Sequence, residues 1–186
     1  MNIVLISEAG GGKDLISTIL SRHYGYNRYA FADNVKKVAE KWYPDLYGNG
    51  QAKPRWLLQK IGTMFREVDS DVWIKAMFKE IDCNKDEARR YGYSDESIVV
   101  TDCRMPNEYE ALKSRDFIFV RINVDEEVRN ERMKERGDSF TENDMKHHTE
   151  TFYDSFECDY EVSNNGTLEE LEEEVHRVMK MIMERG

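Results

Sequence analysis

Residues 7–14, near the start of the chain, have the composition of a loop that binds phosphate. They read Ser-Glu-Ala-Gly-Gly-Gly-Lys-Asp and follow a short apolar run, residues 2–6. Glycines let backbone N–H groups turn towards one anion, and the positive end of a following helix adds to the attraction. Lys13 is spaced to reach the outer phosphates of a nucleoside triphosphate. We therefore predict phosphate binding by Ala9, Gly10, Gly11, Gly12, Lys13 and Asp14.

Two positions of this loop depart from the pattern GxxxxGK[ST]. Ser7 stands where the first glycine is usual, and Asp14 replaces the usual serine or threonine. A carboxylate beside phosphates is repulsive unless a cation lies between them, so Asp14 predicts a magnesium ion held through its water shell. The alternative is a glycine-rich turn between a strand and a helix that binds no ligand.

A second acidic position, Asp102, follows the apolar run at residues 98–100. Ligands of open α/β sheets bind at the carboxyl ends of the strands, so we predict that Asp102 also helps to hold magnesium. Arg104 is predicted to face the same crevice and to bridge phosphates. The alternatives are that Asp102 caps a helix beginning near Pro106 and that Arg104 forms a salt bridge with Glu108.

Three arginines, Arg129, Arg132 and Arg136, recur at spacings of three and four and share one face of a predicted helix. In phosphoryl transfer, arginines stabilise the charge that spreads over the equatorial oxygens. Arg132 and Arg136 are predicted to be catalytic arginines of this kind. Glutamates alternate with them, so a solvated helix of salt bridges is the competing interpretation.

Basic, aromatic and amide side chains between positions 31 and 73 are candidates for binding a second, phosphorylated substrate. Arginine forks fit a phosphate dianion, aromatic rings can stack on a base, and glutamine can bind a base edge. Taken singly, the charged residues are more often surface charges and the aromatic residues more often core. The candidates are Phe31, Lys36, Arg55, Gln59, Arg66 and Trp73.

The elements that would position these residues alternate between short apolar runs and segments of helical spacing. Strands are predicted at residues 2–6, 29–31, 98–101, 117–122 and 160–162. Helices are predicted at residues 14–24, 33–42, 72–81, 125–136 and 168–182, another begins at Pro54, and residues 84–97 are predicted to be an exposed polar segment. Strands alternating with helices predict one α/β domain over residues 1–186, with a parallel sheet covered on both faces.

Composition narrows the class of protein further. The formal net charge of −10 disfavours a surface for polymeric nucleic acid, although it allows a small anionic substrate where a few cations converge. No apolar run approaches the length of a membrane span, and the first residues lack the features of a secretory signal. The three cysteines have no metal-ligand spacing, which predicts a reduced, cytoplasmic chain.

Several motifs, taken in order, resemble those of the phage-type deoxynucleoside monophosphate kinases, a family of P-loop kinases. Gly12-Lys13-Asp14 is similar to the family's form of the phosphate loop. Residues 102–108 (DCRMPNE) are similar to its D-x-R-x-x-N-E stretch, and residues 54–59 (PRWLLQ) to its acceptor-side helices. Further similar segments are residues 31–36, 62–66, 147–150 and 164–167, together with Trp73.

The resemblance implies a P-loop kinase fold with about five parallel strands, helices on both faces, an acceptor-binding helical region at residues 32–82 and a lid at residues 132–150 that supplies the catalytic arginines. It implies transfer of phosphate from ATP, with Mg²⁺, to deoxynucleoside monophosphates, and it favours Lys36 and Arg66 as contacts of the acceptor phosphate. It also implies a viral chain that acts in the host cytoplasm without a membrane partner, and it is compatible with a homodimer.

Two other functions fit the same residues. One is a P-loop kinase for a different small phosphorylated acceptor, such as phosphomevalonate, because similar GKD loops occur there. The other is a nucleotide-binding regulatory ATPase without a small acceptor. The aromatic and basic segment at residues 54–73 favours an acceptor pocket over a regulatory switch.

Overall fold

The computed structural model describes residues 1–47, 54–135, 152 and 155–185. It forms two compact units. The first unit comprises Met1–Arg28 and Ser97–Gly186, and the second comprises Tyr29–Glu96. The predicted acceptor region, residues 32–82, falls within the second unit.

Five strands form one sheet in the order β2-β3-β1-β4-β5. Their bounds are β1 Ile3–Ile6, β2 Tyr26–Tyr29, β3 Ser97–Val100, β4 Ile118–Asn123 and β5 Tyr160–Ser163. The pairs β1–β3, β1–β4 and β4–β5 are parallel, with Val4 opposite both Val100 and Phe119. The sheet therefore confirms the predicted α/β class and the number of strands.

Both faces of this sheet are buried within the first unit. On one face, Leu5, Val99 and Val120 pack with apolar side chains of α1 (Lys13–Tyr24) and α7 (Leu168–Arg185). Successive strand residues point to opposite faces, so Val4 and Phe119 belong to the other face, and both are buried. That second face is covered at Phe119 by Tyr109 of α5 (Pro106–Lys113), at 4.6 Å between ring centroids. Helices on both faces match the prediction.

The second unit is built from helices α2 (Phe31–Trp42), α3 (Arg55–Val68) and α4 (Val72–Arg90). Its two ends are tied together by Tyr29, whose hydroxyl donates to Glu96 Oε1 at 2.6 Å and accepts from Asn84 Nδ2 at 2.8 Å. Burial of the phenol, with the Glu96 carboxylate beside it, raises the pKa of Tyr29 to about 12. Tyr29 therefore stays neutral and keeps its proton to donate.

Two predicted elements are wrong in their bounds. The second strand is predicted at residues 29–31, but the structure has it at Tyr26–Tyr29. The sequence pattern misses it because β2 is an edge strand with exposed Asn27 and Arg28 at its centre, so it has no apolar run. Phe31 instead begins α2. Helix α4 continues from Ile81 to Arg90 through part of the predicted polar segment; beyond Ile81 its residues are largely exposed, so no apolar face marks its continuation.

The remaining helix of the first unit, α6 (Glu126–Glu135), follows β4. Arg136 and residues 136–150 of the predicted lid lie outside the described residues, whereas Arg132 lies within α6. Among the helices that the structure describes, none combines the length and apolar character needed to cross a membrane.

The core of the second unit depends on Trp73, which is 3% exposed and donates its indole N–H to the Gly62 carbonyl at 3.1 Å. Trp73→Phe removes the indole N–H, so the Gly62 carbonyl loses this hydrogen bond. The smaller ring also fills less of the core. We expect a loss of about 1 to 3 kcal/mol in the free energy of unfolding, measured by urea denaturation.

The matched control is Trp56→Phe, the same chemical change at a side chain that is 61% exposed. Its effect should stay within about 0.5 kcal/mol. An equal loss in both variants, or no loss in Trp73→Phe, would contradict the core role of Trp73.

Candidate active site

The loop between β1 and α1 is closed on itself by Lys13. The Lys13 ammonium donates to Ser7 O at 2.7 Å, Ser7 Oγ at 2.9 Å and Glu8 O at 2.9 Å. Gly10 and Gly12 have φ values of 81° and 95°, in the left-handed region that favours glycine. The loop therefore turns sharply around its own carbonyl groups and keeps its lysine at the start of α1.

Ser7, which departs from the usual glycine, fits because Gly11 lies against it. Ser7 is buried, and its hydroxyl donates to Glu8 O at 2.9 Å as well as accepting from Lys13. A Cβ at Gly11 would lie 2.7 Å from Ser7 Cβ and closer still to Ser7 Oγ. The usual loop has glycine at its first position. Here the Ser7 side chain fits because Gly11, which lies against it, has no side chain.

The amino end of α1 places Asp14 in the first turn, beside the first backbone N–H groups of the helix. Gly12 is the N-cap residue, and the first N–H groups of a helix have no acceptor within it. The Asp14 side chain is 92% exposed and lies 4.0 Å from Arg28 Nε of β2. An exposed pair at that distance contributes little to stability, so Arg28 screens the charge of Asp14 without burying it.

Helix α6 packs directly on the loop. Arg129 is 7% exposed and forms an ion pair with Glu8, while its Nε is buried without a hydrogen-bond partner among the described residues. A Cβ at Gly10 would lie 2.9 Å from Met133 Sδ and 3.2 Å from Arg129 Cγ. Gly10 is therefore needed both for its backbone conformation and for the approach of α6.

Asn164, directly after β5, joins the loop to α6. Its Nδ2 donates to Gly11 O at 3.0 Å, and its Oδ1 accepts from Arg132 Nη1 at 3.1 Å. Arg132 also donates to Asn164 O and Gly166 O, both at 2.6 Å. Arg132, one of the two predicted catalytic arginines, is thus hydrogen-bonded to the turn before α7 in this structure.

Asp102 and Arg104 follow β3, as expected, and both are partly buried. Glu108 caps α5: its carboxylate, in a residue that is 3% exposed, accepts from the backbone N–H groups of Arg104 at 2.9 Å and Met105 at 3.0 Å. Burial, with the Glu108 and Asp102 carboxylates nearby, raises the pKa of Cys103 well above its usual value. Burial and the raised pKa disfavour the thiolate, so Cys103 has the character of a packed structural thiol.

The polar acceptor candidates of α3 share one face of that helix. Arg55, Gln59, Gly62 and Arg66 follow each other at spacings of four, three and four. A Cβ at Gly62 would lie 3.3 Å from Arg66 Nη1, so the absence of a side chain there leaves room for the guanidinium. Arg55 and Gln59 are exposed, and Arg66 is half-buried.

The other three acceptor candidates, all in the second unit, have different surroundings. Lys36 of α2 is paired with Asp33 at 2.6 Å. Phe31 and Trp73 are 2% and 3% exposed, and Trp73 packs on Phe65 at 5.2 Å between ring centroids. Both aromatic residues belong to the core, so the expectation that they present stacking surfaces is corrected by their burial.

The sequence does not predict two contacts that fix the loop: the hydrogen bond from Asn164 to Gly11 and the ion pair of Arg129 with Glu8. In the sequence, Asn164 stands out only as part of the segment 164–167, and its partners, residues 11 and 132, are distant in the chain. Arg129 shares the spacing of Arg132 and Arg136, but the prediction of a catalytic role covers only those two. A usable signal was present for Arg129: of the three arginines it lies nearest the start of the helix, which follows a parallel strand and so begins at the ligand edge of the sheet.

The contact between Ser7 and Gly11 predicts a specific rescue. Gly11→Ala should destabilise the protein by about 1 to 3 kcal/mol and weaken ATP binding, because the new methyl group collides with Ser7. Adding Ser7→Gly should restore most of the stability, giving a coupling energy of at least about 1 kcal/mol by thermal unfolding.

The control is Gly12→Ala, which combines a φ of 95° with a collision against Asn164 Nδ2 rather than Ser7. Ser7→Gly should not rescue that variant. Additive effects in the first pair, or equal rescue of both alanine variants, would contradict the pairing of Ser7 with Gly11.

Comparison with solved structures identifies the fold. The chain is similar to a shikimate kinase from Acinetobacter baumannii in complex with shikimate, at 16% identity and a TM-score of 0.61, covering 99% of this chain and 93% of that one. It is also similar to the Aquifex aeolicus shikimate kinase (19%, TM-score 0.51, 100% of both chains) and to the Campylobacter jejuni dephospho-CoA kinase (16%, TM-score 0.51, 97% and 96%). The fold is that of the P-loop kinases.

No protein with curated annotation matches the chain in sequence. A family model described as an AAA domain matches residues 3–158, which include the phosphate-binding loop, Asp102 and α6. The match extends over most of the chain, and the chain therefore belongs to this AAA domain family.

Proposed function

We propose that the protein transfers the γ-phosphoryl group of ATP to a deoxynucleoside monophosphate. The observation that carries the proposal is the closed loop at residues 7–13, in which a helix N-terminus and the Lys13 ammonium converge. The fold supports a kinase, and the sequence resemblance supports the nucleotide acceptor. An oxygen of the acceptor phosphate would attack the γ-phosphorus as the bond to the bridging oxygen of ADP breaks.

Catalysis of this kind depends on positioning and on charge stabilisation rather than on a covalent intermediate. Ala9, Gly10, Gly11 and Gly12 would present backbone to the phosphates of ATP, and Lys13 would contact the β- and γ-phosphates. The Lys13 ammonium has three N–H donors and makes three hydrogen bonds to loop oxygens. A phosphate that binds Lys13 must therefore share those N–H donors with the loop oxygens or replace one of them as acceptor.

The donor set fits magnesium bound mainly by phosphates and water. Within the part of the chain that the structure describes, no group of three or more His, Cys, Asp and Glu side chains is arranged to hold a metal. Magnesium commonly takes one or two carboxylates and completes its shell with water and substrate phosphates. Asp14, exposed on α1, and Asp102, at the end of β3, are the carboxylates we assign to it, and the ion would neutralise phosphate charge.

Arg132 and Arg136 are the two arginines that we propose to stabilise the transferring group. Arg136 falls outside the described residues. Arg132 would have to release Asn164 O and Gly166 O before its guanidinium could contact a phosphoryl group. Arg104 is proposed to contact phosphate from the end of β3.

For the acceptor, we propose the polar face of α3. Arg66 would bind the monophosphate dianion through its fork, Arg55 would add charge, and Gln59 would contact the base edge. Lys36 would join them only by exchanging Asp33 for the phosphate. Arg55, Gln59 and Arg66 lie along one face of α3, which supports a single extended ligand.

The acceptor panel tests the function as a whole. With ATP and magnesium, the protein should release ADP in the presence of at least one of dTMP, dGMP, dCMP or dAMP, and Lys13→Ala should reduce that rate by orders of magnitude. Shikimate, phosphomevalonate and dephospho-CoA belong in the same panel. ADP release with one of those alone identifies another small-molecule kinase, and acceptor-independent release identifies an ATPase.

The α3 face gives a separate prediction. Arg66→Lys keeps the charge but loses the fork, so the KM for the acceptor should rise about tenfold or more while the KM for ATP stays unchanged. Lys60→Ala removes a cation from an exposed position of α3 outside that face and should leave both constants unchanged. Equal effects of the two variants would remove Arg66 from the acceptor site.

A further inference from the structure

We infer that Asn164 is a positioning residue for the phosphate-binding loop and that Arg132 acts on the loop through Asn164. The inference rests on the proposed function only in assuming that the loop binds phosphate. It assigns a role to a side chain that is 6% exposed and follows the last strand of the sheet.

The first step is the bond from Asn164 Nδ2 to Gly11 O, at 3.0 Å. A peptide unit is planar and trans, so its carbonyl oxygen and the N–H of the next residue point in opposite directions. Fixing Gly11 O therefore fixes the direction of the Gly12 N–H. That N–H belongs to the N-cap residue of α1, at the helix end that attracts anions.

The second step is steric. A Cβ at Gly12 would collide with Asn164 Nδ2, so the amide lies against the Gly12 backbone as well as bonding the preceding carbonyl. Two consecutive glycines have wide conformational freedom. The Asn164 side chain removes that freedom where the loop needs a single orientation, so part of the ordering cost of phosphate binding is met before the ligand arrives.

The third step is the anchoring of Asn164 itself. Its backbone N–H donates to Asn123 O at the end of β4, at 2.8 Å. Arg132 donates to Asn164 O at 2.6 Å and to Asn164 Oδ1 at 3.1 Å. A cationic donor on Oδ1 polarises the amide and strengthens the Nδ2 donor, because hydrogen bonds in a chain reinforce one another. In the arrangement that the structure describes, Arg132 thus supports the loop through Asn164.

The test uses the whole protein and measures binding of tripolyphosphate and of ATP by calorimetry. Asn164→Leu keeps the approximate shape and neutrality of the side chain and removes both polar contacts. It should weaken tripolyphosphate binding about tenfold, the equivalent of one hydrogen bond. Arg132→Gln should weaken it less, since the bond from Asn164 Nδ2 to Gly11 O remains.

The matched control is Asn165→Ala in the same turn. Asn165 Oδ1 accepts from the Asp125 backbone N–H at 2.7 Å and does not carry the loop contact. This variant should lower Tm by a comparable amount and leave tripolyphosphate affinity unchanged. If Asn164→Leu lowers Tm but not anion affinity, Asn164 is merely structural and the inference is wrong.

A measurement on the unaltered protein covers the case in which Asn164→Leu does not fold. In ¹⁵N-resolved spectra, tripolyphosphate should shift the Gly12 amide and the Asn164 side-chain amide together, because they flank one peptide unit. A shift of Gly12 with an unchanged Asn164 side chain would overturn the inference. If the unaltered protein binds neither ATP nor tripolyphosphate, the proposed function fails and the inference falls with it.

Discussion

The hydrogen bonds of the Lys13 ammonium to Ser7 and Glu8 set the geometry on which the first unit depends. A loop with three consecutive glycines is entropically costly to hold in one shape, and a phosphate cradle cannot be filled by side chains of its own. The shape must therefore be imposed from outside. Lys13 bonds the carbonyl groups of Ser7 and Glu8. Side chains of α6 pack on Gly10, and Asn164 bonds the carbonyl group of Gly11.

The same arrangement explains how an acidic protein with a net charge of −10 can keep an anion site. Three cations at the loop have internal oxygen partners: Lys13 bonds loop carbonyls, Arg129 pairs with Glu8, and Arg132 bonds the turn at Asn164. These partners stabilise the cations at fixed positions and limit their exposure to solvent. An incoming phosphate competes with carbonyls and one carboxylate, so its affinity reflects an exchange of partners rather than attraction to bare charges.

Local patterns predicted β1, the loop and α1, because a buried strand, a glycine run and helical spacing follow one another within residues 2–24. They also predicted five strands and the strand-end position of Asp102. They failed to give the bounds of two elements. Strand β2 has polar residues at its centre, and helix α4 continues beyond Ile81, its last buried residue. Trp73 is buried with its indole N–H bonded to Gly62 O, and Arg132 bonds Gly166 O. The spacing of residues along the chain does not predict either partner.

The two departures of the loop from its usual pattern differ in physical kind. Ser7 is buried, and the fold compensates for it internally through Gly11 and the Lys13 ammonium. Asp14 is exposed on the first turn of α1, where the helix dipole favours a carboxylate and Arg28 lies 4.0 Å away. Replacing Asp14 therefore leaves the buried braces of the loop intact and changes only the charge that a phosphate or a cation meets. Ser7 therefore contributes to the packing of the loop, whereas Asp14 contributes an exposed charge at the start of α1.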